Sequence, residues 1–234
     1  MKKIVRRLKK LIRVGIGKEL LVKPDVICAM ERFGSDYGGW EVVTGSLASN
    51  SIVYSFGVGL DASFDMALIE KYNLIIHAFD PTPKSIEWVK RQGFPDRFVM
   101  HQYGLAAFDG NASFIPPENP EHVSHTLLDR PLTTAKIISV QVKRLSTIMN
   151  ELGNDQIDVL KMDIEGAEYD VIEDISKSNI RPQQILVEFH HRFPGVSVKK
   201  TKEAISRLRS LGYLLFYVSA SNEEFCFTRK ASKK

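Results

Sequence analysis

Residues 52–62 read Ile-Val-Tyr-Ser-Phe-Gly-Val-Gly-Leu-Asp-Ala, an apolar run that ends in two closely spaced glycines. Glycine lets the backbone turn tightly and approach a ligand closely, because it has no Cβ. A strand that passes through such a turn into a helix is typical of nucleotide-binding α/β domains. The stretch therefore predicts the first strand of a parallel sheet, with a ligand site at the turn.

The rest of the chain alternates between strand-like and helix-like patterns. Further apolar runs lie at 74–79, 98–103, 159–162 and 185–189. Helical segments lie at 63–71, 84–92, 145–152, 167–175 and 199–211. This alternation predicts a mostly parallel sheet with helices on both faces. Two final β-rich runs, at 213–218 and 224–228, are joined by a loop too short for a helical crossover, so we predict seven strands that end in an antiparallel hairpin.

The composition is that of one ordinary globular domain, with 234 residues of which 44% are hydrophobic and 26% charged. No apolar run approaches the roughly 20 residues that span a bilayer, and the N-terminus lacks the features of a secretory signal. Cys28 and Cys226 have no metal-ligand spacing. We expect a cytoplasmic protein with both thiols reduced.

The net charge of +4 is concentrated at the N-terminus, since seven basic residues and no acid fall within the first 13 residues. An enzyme of nucleic acids usually spreads its basic surface, so no nucleic-acid partner is expected. Residues 2–13 predict an amphipathic helix that packs on the domain, with contact to an anionic inner membrane surface as the alternative. We assign residues 1–36 to this helix and a linker and 37–234 to the α/β domain, and leave the oligomeric state open.

A carboxylate closes the second predicted strand, about 20 residues after the glycines. Asp80 can there accept hydrogen bonds from both ribose hydroxyls of a nucleoside cofactor. The spacing from Gly57 to Ala62 also fits the dinucleotide fingerprint, which keeps an NAD(P)-dependent oxidoreductase as an alternative.

Residues 158–168, Asp-Val-Leu-Lys-Met-Asp-Ile-Glu-Gly-Ala-Glu, bring charged side chains to the end of a central strand. Lys161 and Asp163 share one face, because side chains alternate along a strand. Asp163 is then at the carboxyl end, where open α/β sheets bind ligands. We predict a functional role for Asp163 and expect Lys161 to hold a carboxylate in place; a purely structural pair is the alternative.

The next strand ends in Glu188-Phe-His-His-Arg192. Glu188 and His190 share a face, and carboxylates beside a histidine tune it for proton abstraction. His190 is therefore our first candidate for a catalytic base and Asp163 the second, with Glu188 orienting His190 and His191 contacting the substrate. The same residue types bind divalent metals, so a metal stays an alternative although we assign no metal ligand.

A long stretch at 108–138 interrupts the alternation and contains four prolines. A loop of this length in a compact domain is usually functional or disordered, and we interpret it as a substrate-side flap. Ser124 and His125 within it are candidates for substrate contact.

Four segments together resemble the FkbM-type methyltransferases: Val53-Tyr-Ser-Phe-Gly-Val-Gly59, Ala78-Phe-Asp-Pro-Thr-Pro83, Leu160-Lys-Met-Asp-Ile-Glu-Gly-Ala-Glu168 and Val187-Glu-Phe-His-His191. The resemblance spans roughly residues 37–228, and Lys-x-Asp-x-Glu-Gly-Ala-Glu is its most specific part. It implies a Rossmann-like class I methyltransferase fold, S-adenosylmethionine as cofactor, and O-methylation of a hydroxyl on a sugar or another small metabolite. A non-catalytic domain that binds S-adenosylmethionine is a further alternative.

The resemblance also implies roles for individual residues. Gly57 and Gly59 approach the methionine part of the cofactor, Asp80 binds its ribose, and Asp163 borders it. Phe79 lies beside the adenosine, and Gly104 and Leu105 pass near the adenine. Ser55 stands where many methyltransferases carry an acid, so its hydroxyl would bind the methionine amino group without a charge.

Overall fold

The computed structural model describes residues 20–114, 137–193 and 195–229. The strands are β1 (Met30–Phe33), β2 (Trp40–Val43), β3 (Ile52–Phe56), β4 (Ile75–Phe79), β5 (Phe98–His101), β6 (Gly104–Leu105), β7 (Gly110–Phe114), β8 (Ile138–Lys143), β9 (Val159–Met162), β10 (Gln184–Glu188), β11 (Tyr213–Val218) and β12 (Glu224–Arg229). The helices are α1 (Ser63–Tyr72), α2 (Pro83–Gln92), α3 (Leu145–Leu152), α4 (Glu168–Lys177) and α5 (Val198–Ser210). The predicted N-terminal helix at 2–13 and the candidates Ser124 and His125 lie outside the described residues.

The main sheet has seven strands in the order β11-β12-β10-β9-β3-β4-β5. The five strands from β10 to β5 are parallel, and β12 runs antiparallel to both β10 and β11. The predicted α/β fold, with a mostly parallel sheet and a closing hairpin, is confirmed. From β3 the chain first builds outward through β4 and β5 and later returns to add β9 on the other side. The order thus reverses between β3 and β9, which is where such sheets open a ligand crevice at the strands' carboxyl ends.

Each face of the sheet is buried beneath helices. Tyr54 and Phe56 of β3 pack with side chains of α3, α4 and α5 on one face, and Val53 packs with Phe64 and Leu68 of α1 on the other. The period of two along β3 thus divides its side chains between two apolar layers. Among the described helices, none is long and apolar enough to cross a bilayer.

Two small sheets were missed by the sequence interpretation. β1 pairs with β2 in a hairpin, and β7 pairs with β8, which also pairs with β6. β7 and the start of β8 fall inside the stretch predicted as one loop, so that prediction is wrong at both of its ends. Only Ala112 is buried along β7 and Phe114 is partly buried, and two apolar positions in five residues are too weak a pattern to reveal a strand.

The segment before β1 packs along the outer strand β11. The Asp25 N–H donates to the Leu215 carbonyl at 2.7 Å, and the Asp25 side chain accepts from the Leu215 N–H at 3.0 Å. Arg209 of α5 holds the same carboxylate at 2.7 Å, and Leu20 is completely buried. Residues 20–36, assigned above to a linker, therefore form extensive contacts with the α/β domain.

Candidate functional site

The glycine turn after β3 touches the end of β9. Gly57 has φ +85° and Gly59 has φ +56°, both in the region that favours glycine. A Cβ placed on Gly57 would lie 1.9 Å from the Asp163 carbonyl oxygen. The predicted cofactor turn and the predicted acid at the end of β9 are thus in direct contact, and only glycine fits between them.

Lys161 supports this turn from within the sheet. Its Nζ donates to the Gly57 carbonyl at 2.7 Å and to the Phe56 carbonyl at 3.4 Å. The expectation that Lys161 holds a carboxylate in place is wrong: the chain leaves the sheet at Gly57, and the carbonyl oxygen released there takes the ammonium group. The Lys161 charge acts on Asp65 only through space, opposing the burial that raises the pKa of that carboxyl.

Ser55 does not reach the crevice. Its side chain is fully buried beneath the turn and lies beside Asp65 of α1. A direct contact with a cofactor amino group, as the resemblance implied, would require the turn to move away.

Asp80 joins the turn after β3 to the one after β4. Its Oδ2 accepts from the Gly59 N–H at 2.9 Å, and its Oδ1 accepts from the Thr82 N–H at 2.9 Å and the Thr82 hydroxyl at 2.6 Å. A carboxylate offers about four acceptor positions. One therefore remains for a ribose hydroxyl, and binding of two hydroxyls would require release of the Gly59 N–H.

The neighbouring aromatic residue is part of the core. Phe79 is 1% exposed, and its ring stacks between those of Phe56 and His101 at centroid distances of 4.2 and 4.6 Å. The predicted contact of Phe79 with an adenosine is wrong in this structure, because both faces of the ring are covered. Gly104 does border the loop after Asp80, since a Cβ on it would lie 3.2 Å from Pro81 Cγ; the Leu105 side chain is buried in the core.

Asp163, Glu165 and His190 converge at the adjacent ends of β9 and β10. His190 Nε2 lies 3.3 Å from Glu165 Oε2 and 3.7 Å from Asp163 Oδ1. Glu165 has φ +52°, a left-handed conformation that is uncommon outside glycine and recurs at functional sites. This conformation turns the chain back over the end of β9 and brings the Glu165 carboxylate to the imidazole.

Glu168, at the start of α4, holds His190. This fully buried carboxylate accepts from the His190 backbone N–H at 2.9 Å and lies 3.3 Å from His190 Nδ1, and its second oxygen accepts from the Gly166 N–H at 2.8 Å. The prediction that Glu188 orients His190 is therefore wrong. Side chains two positions apart on a strand project side by side, about 6–7 Å apart, whereas Glu168 approaches from a facing element.

Negative charge dominates the electrostatics of this cluster. Burial lowers the pKa of His190, but the hydrogen bond to Glu168 and the charges of Glu168, Glu165 and Asp163 outweigh it and raise the pKa to about 10. Burial and the charge of Asp163 raise the pKa of Glu188, against the opposing effect of His190. The raised pKa favours the doubly protonated imidazole, which disfavours the expected role of His190 as a base.

The loop between β1 and β2, which the sequence analysis did not assign to the site, contacts the chain just after the glycine turn. Ser35 donates its hydroxyl proton to Asp61 Oδ2 at 2.7 Å, and its N–H donates to the Ser63 hydroxyl at 2.8 Å. Sequence reasoning also missed Glu165 and Glu168 as members of the site, although both stand in the quoted motif. Because they follow the strand, its alternation of faces did not predict their direction. His191, a predicted substrate contact, is buried with 4% exposure.

A glycine turn, a strand-end carboxylate and an acidic cluster thus meet at the reversal of a doubly covered sheet that ends in an antiparallel hairpin. This combination defines the class of Rossmann-like methyltransferases. The chain belongs to the FkbM methyltransferase family, since residues 51–215 match the family described as "Methyltransferase FkbM domain".

Two similar proteins are described as probable methyltransferase-like proteins. The chain is 25% identical over 188 residues to "Probable methyltransferase-like protein 24" of Rattus norvegicus, covering 80% of this chain and 44% of that protein. It is 26% identical over 157 residues to the Homo sapiens protein of the same description, covering 66% and 37%. The chain therefore spans less than half the length of these relatives.

Two solved structures are also similar. One is methyltransferase FkbM from Methylobacillus flagellatus KT, with a TM-score of 0.48, 14% identity, and coverage of 77% of this chain and 44% of that chain. The other is a methyltransferase from Pyrococcus furiosus, with a TM-score of 0.37, 13% identity, and coverage of 97% and 98%.

Proposed function

We propose that this protein is an S-adenosylmethionine-dependent O-methyltransferase whose acceptor is a hydroxyl group on a sugar or another small metabolite. The contact between Gly57 and Asp163 carries the proposal. A cofactor held at the glycine turn and Asp80 would present its reactive end to the acidic cluster on β9 and β10. Membership in a methyltransferase family supports the reaction type.

The residues at the turn fit such a cofactor. Gly57 and Gly59 lack side chains that would block the approach of the methionine part, and Asp80 keeps one acceptor position for a ribose hydroxyl. S-adenosylmethionine, when bound, supplies a methyl group on a positively charged sulfonium. Asp163 and Glu165 would provide the complementary negative charge that Ser55, in place of an acid, does not.

The protein's remaining tasks are to position the acceptor and to remove its proton. A strand-end carboxylate, Asp163 or Glu188, would take the hydroxyl proton as the acceptor oxygen receives the methyl group that the cofactor would supply. His190, fixed by Glu168, holds the acceptor oxygen, and Lys161 fixes the turn.

Calorimetry with S-adenosylmethionine and with NADH tests the cofactor. We expect saturable binding of the first and none of the second, and the reverse would favour the oxidoreductase alternative. The reaction is then tested by release of S-adenosylhomocysteine with a panel of hydroxylated metabolites and sugars. Cofactor binding without turnover on any acceptor of the panel would favour the non-catalytic alternative.

A further inference from the structure

We infer that Asp163, Glu165 and His190 form a binding site for one divalent transition-metal ion that accepts mixed nitrogen and oxygen ligands, such as Mn²⁺. Each of the three residues offers one ligand atom, and these atoms all lie within 4.8 Å of one another. The ion's role in the reaction rests on the proposed function, which this inference deepens. Binding of the ion does not depend on the proposed function.

The spacing of the three side chains suits a shared ion better than direct pairing. Charge-assisted hydrogen bonds between nitrogen and oxygen measure about 2.7–2.9 Å. His190 Nε2 is farther than this from both partners, at 3.3 Å from Glu165 and 3.7 Å from Asp163. Two ligands about 2.1 Å from a metal lie about 3.0 Å apart at octahedral angles and about 3.4 Å apart at tetrahedral angles, so a shift of a few tenths of an ångström would place all three side chains around one ion.

Glu168 supplies the outer contact that a metal-binding histidine requires. Such histidines almost always donate their other ring N–H to a carboxylate, carbonyl or water, which fixes the ring and its tautomer. His190 Nδ1 lies 3.3 Å from the buried Glu168 carboxylate, and the imidazole is 8% exposed with Nε2 directed at the other two carboxylates. On binding, an ion would displace the proton from Nε2 and take its lone pair, while Nδ1 keeps its own proton for Glu168.

The ligand set and its exposure indicate the kind of ion and its role. An imidazole with two carboxylates suits transition metals, since Mg²⁺ and Ca²⁺ prefer oxygen ligands alone. The side chains of Asp163 and Glu165 are 32% and 17% exposed, so the site opens toward solvent on one side. Three protein ligands leave a position for the acceptor oxygen, whose proton is lost more readily on a metal. Glu188, a carboxylate outside the ligand set, then takes that proton.

Binding of Mn²⁺ to the full chain, without cofactor or acceptor, tests the site. Electron paramagnetic resonance of free Mn²⁺ and calorimetry should give one ion per chain. Asp163→Asn and Glu165→Gln should each weaken binding at least about ten-fold, and Glu168→Gln about 10- to 100-fold. Glu173→Gln removes an exposed carboxylate from α4 and serves as the matched control, with binding unchanged. Circular dichroism establishes that each variant is folded. The inference is overturned if the folded wild type binds no Mn²⁺, or if Asp163→Asn and Glu165→Gln bind Mn²⁺ as tightly as the wild type.

A second comparison separates the metal from the methyltransferase proposal. Glu188→Gln should lose turnover and retain Mn²⁺ binding. Mn²⁺ binding without S-adenosylmethionine binding would preserve the metal site and remove the proposed function. Turnover that is insensitive to EDTA, in a protein that binds no Mn²⁺, would preserve the function and overturn the metal site.

Discussion

The contact between Gly57 and Asp163 makes a quantitative prediction for the variant Gly57→Ala. A left-handed backbone costs a non-glycine residue about 1–2 kcal/mol. Gly57 has φ +85°, and the added Cβ would also lie 1.9 Å from the Asp163 carbonyl oxygen, so the backbone must shift. Forcing extra atoms into a packed site costs about 1–3 kcal/mol more. We therefore expect Gly57→Ala to lower the free energy of unfolding by about 2–5 kcal/mol.

Gly45 offers a matched control for this prediction. It also has a positive φ, +72°, but a Cβ there would meet nothing within 4 Å. Gly45→Ala should therefore lose only the backbone part, about 1–2 kcal/mol. Guanidinium unfolding measures both variants, and equal slopes with denaturant concentration would show that the same transition is compared. Equal losses in the two variants would refute the close approach of the turn to β9.

Three further predictions concern other parts of the site and core. Asp80→Ala should weaken S-adenosylmethionine binding by about 1–3 kcal/mol in calorimetry, because a ribose hydroxyl would lose its buried acceptor; unchanged affinity would contradict the ribose assignment. Lys161→Met should lower the free energy of unfolding by about 1.5–3 kcal/mol in urea, since it removes a charged donor from the Gly57 carbonyl. A loss well below this range would mean that the hydrogen bond contributes little to stability. Burial, with the charges of His77 and Lys143, lowers the pKa of His101 from 6.5 to about 4. Its neutral form is thus favoured by folding, and stability should fall as the pH drops from about 6.5 toward 4, by about 1–2 kcal/mol after allowance for partial exposure. Urea unfolding at pH 7 and 5 should show about half of this loss, since pH 5 lies inside that range, and a smaller loss in His101→Gln.

The sequence predicted the main sheet well because each of its inner strands has a strong local signal. β3, β4, β9 and β10 are largely apolar runs that polar residues interrupt at only one or two positions, as expected of strands buried on both faces. The closing hairpin followed from the length of one loop. The alternation of strands and helices alone predicted that β9 and β10 pair in parallel. This pairing brings Asp163 close to His190.

The sequence did not reveal contacts set by the packing of one element on another. Glu168 reaches His190 because of the position of α4 over the strand ends, whereas the strand pattern favoured Glu188. Phe79 lies between two rings whose approach depends on the register of β3, β4 and β5. Lys161 binds a carbonyl that becomes available only because the backbone turns at Gly57. In each case the actual contact partner lies on a neighbouring element, and the periodicity of one segment does not specify how another segment packs against it.

The hydrogen bonds of Asp25 to β11 also bear on how the protein behaves at high concentration. An outer strand presents unpaired N–H and C=O groups that can template the addition of a strand from another molecule, the first step of many aggregation reactions. The Asp25 N–H and carboxylate occupy both polar groups of Leu215, near the middle of β11, and Arg209 fixes the carboxylate in place. The segment around Asp25 therefore blocks one border of the sheet against self-association, and its removal would expose an edge that can pair with another molecule, even where the remaining fold stays intact.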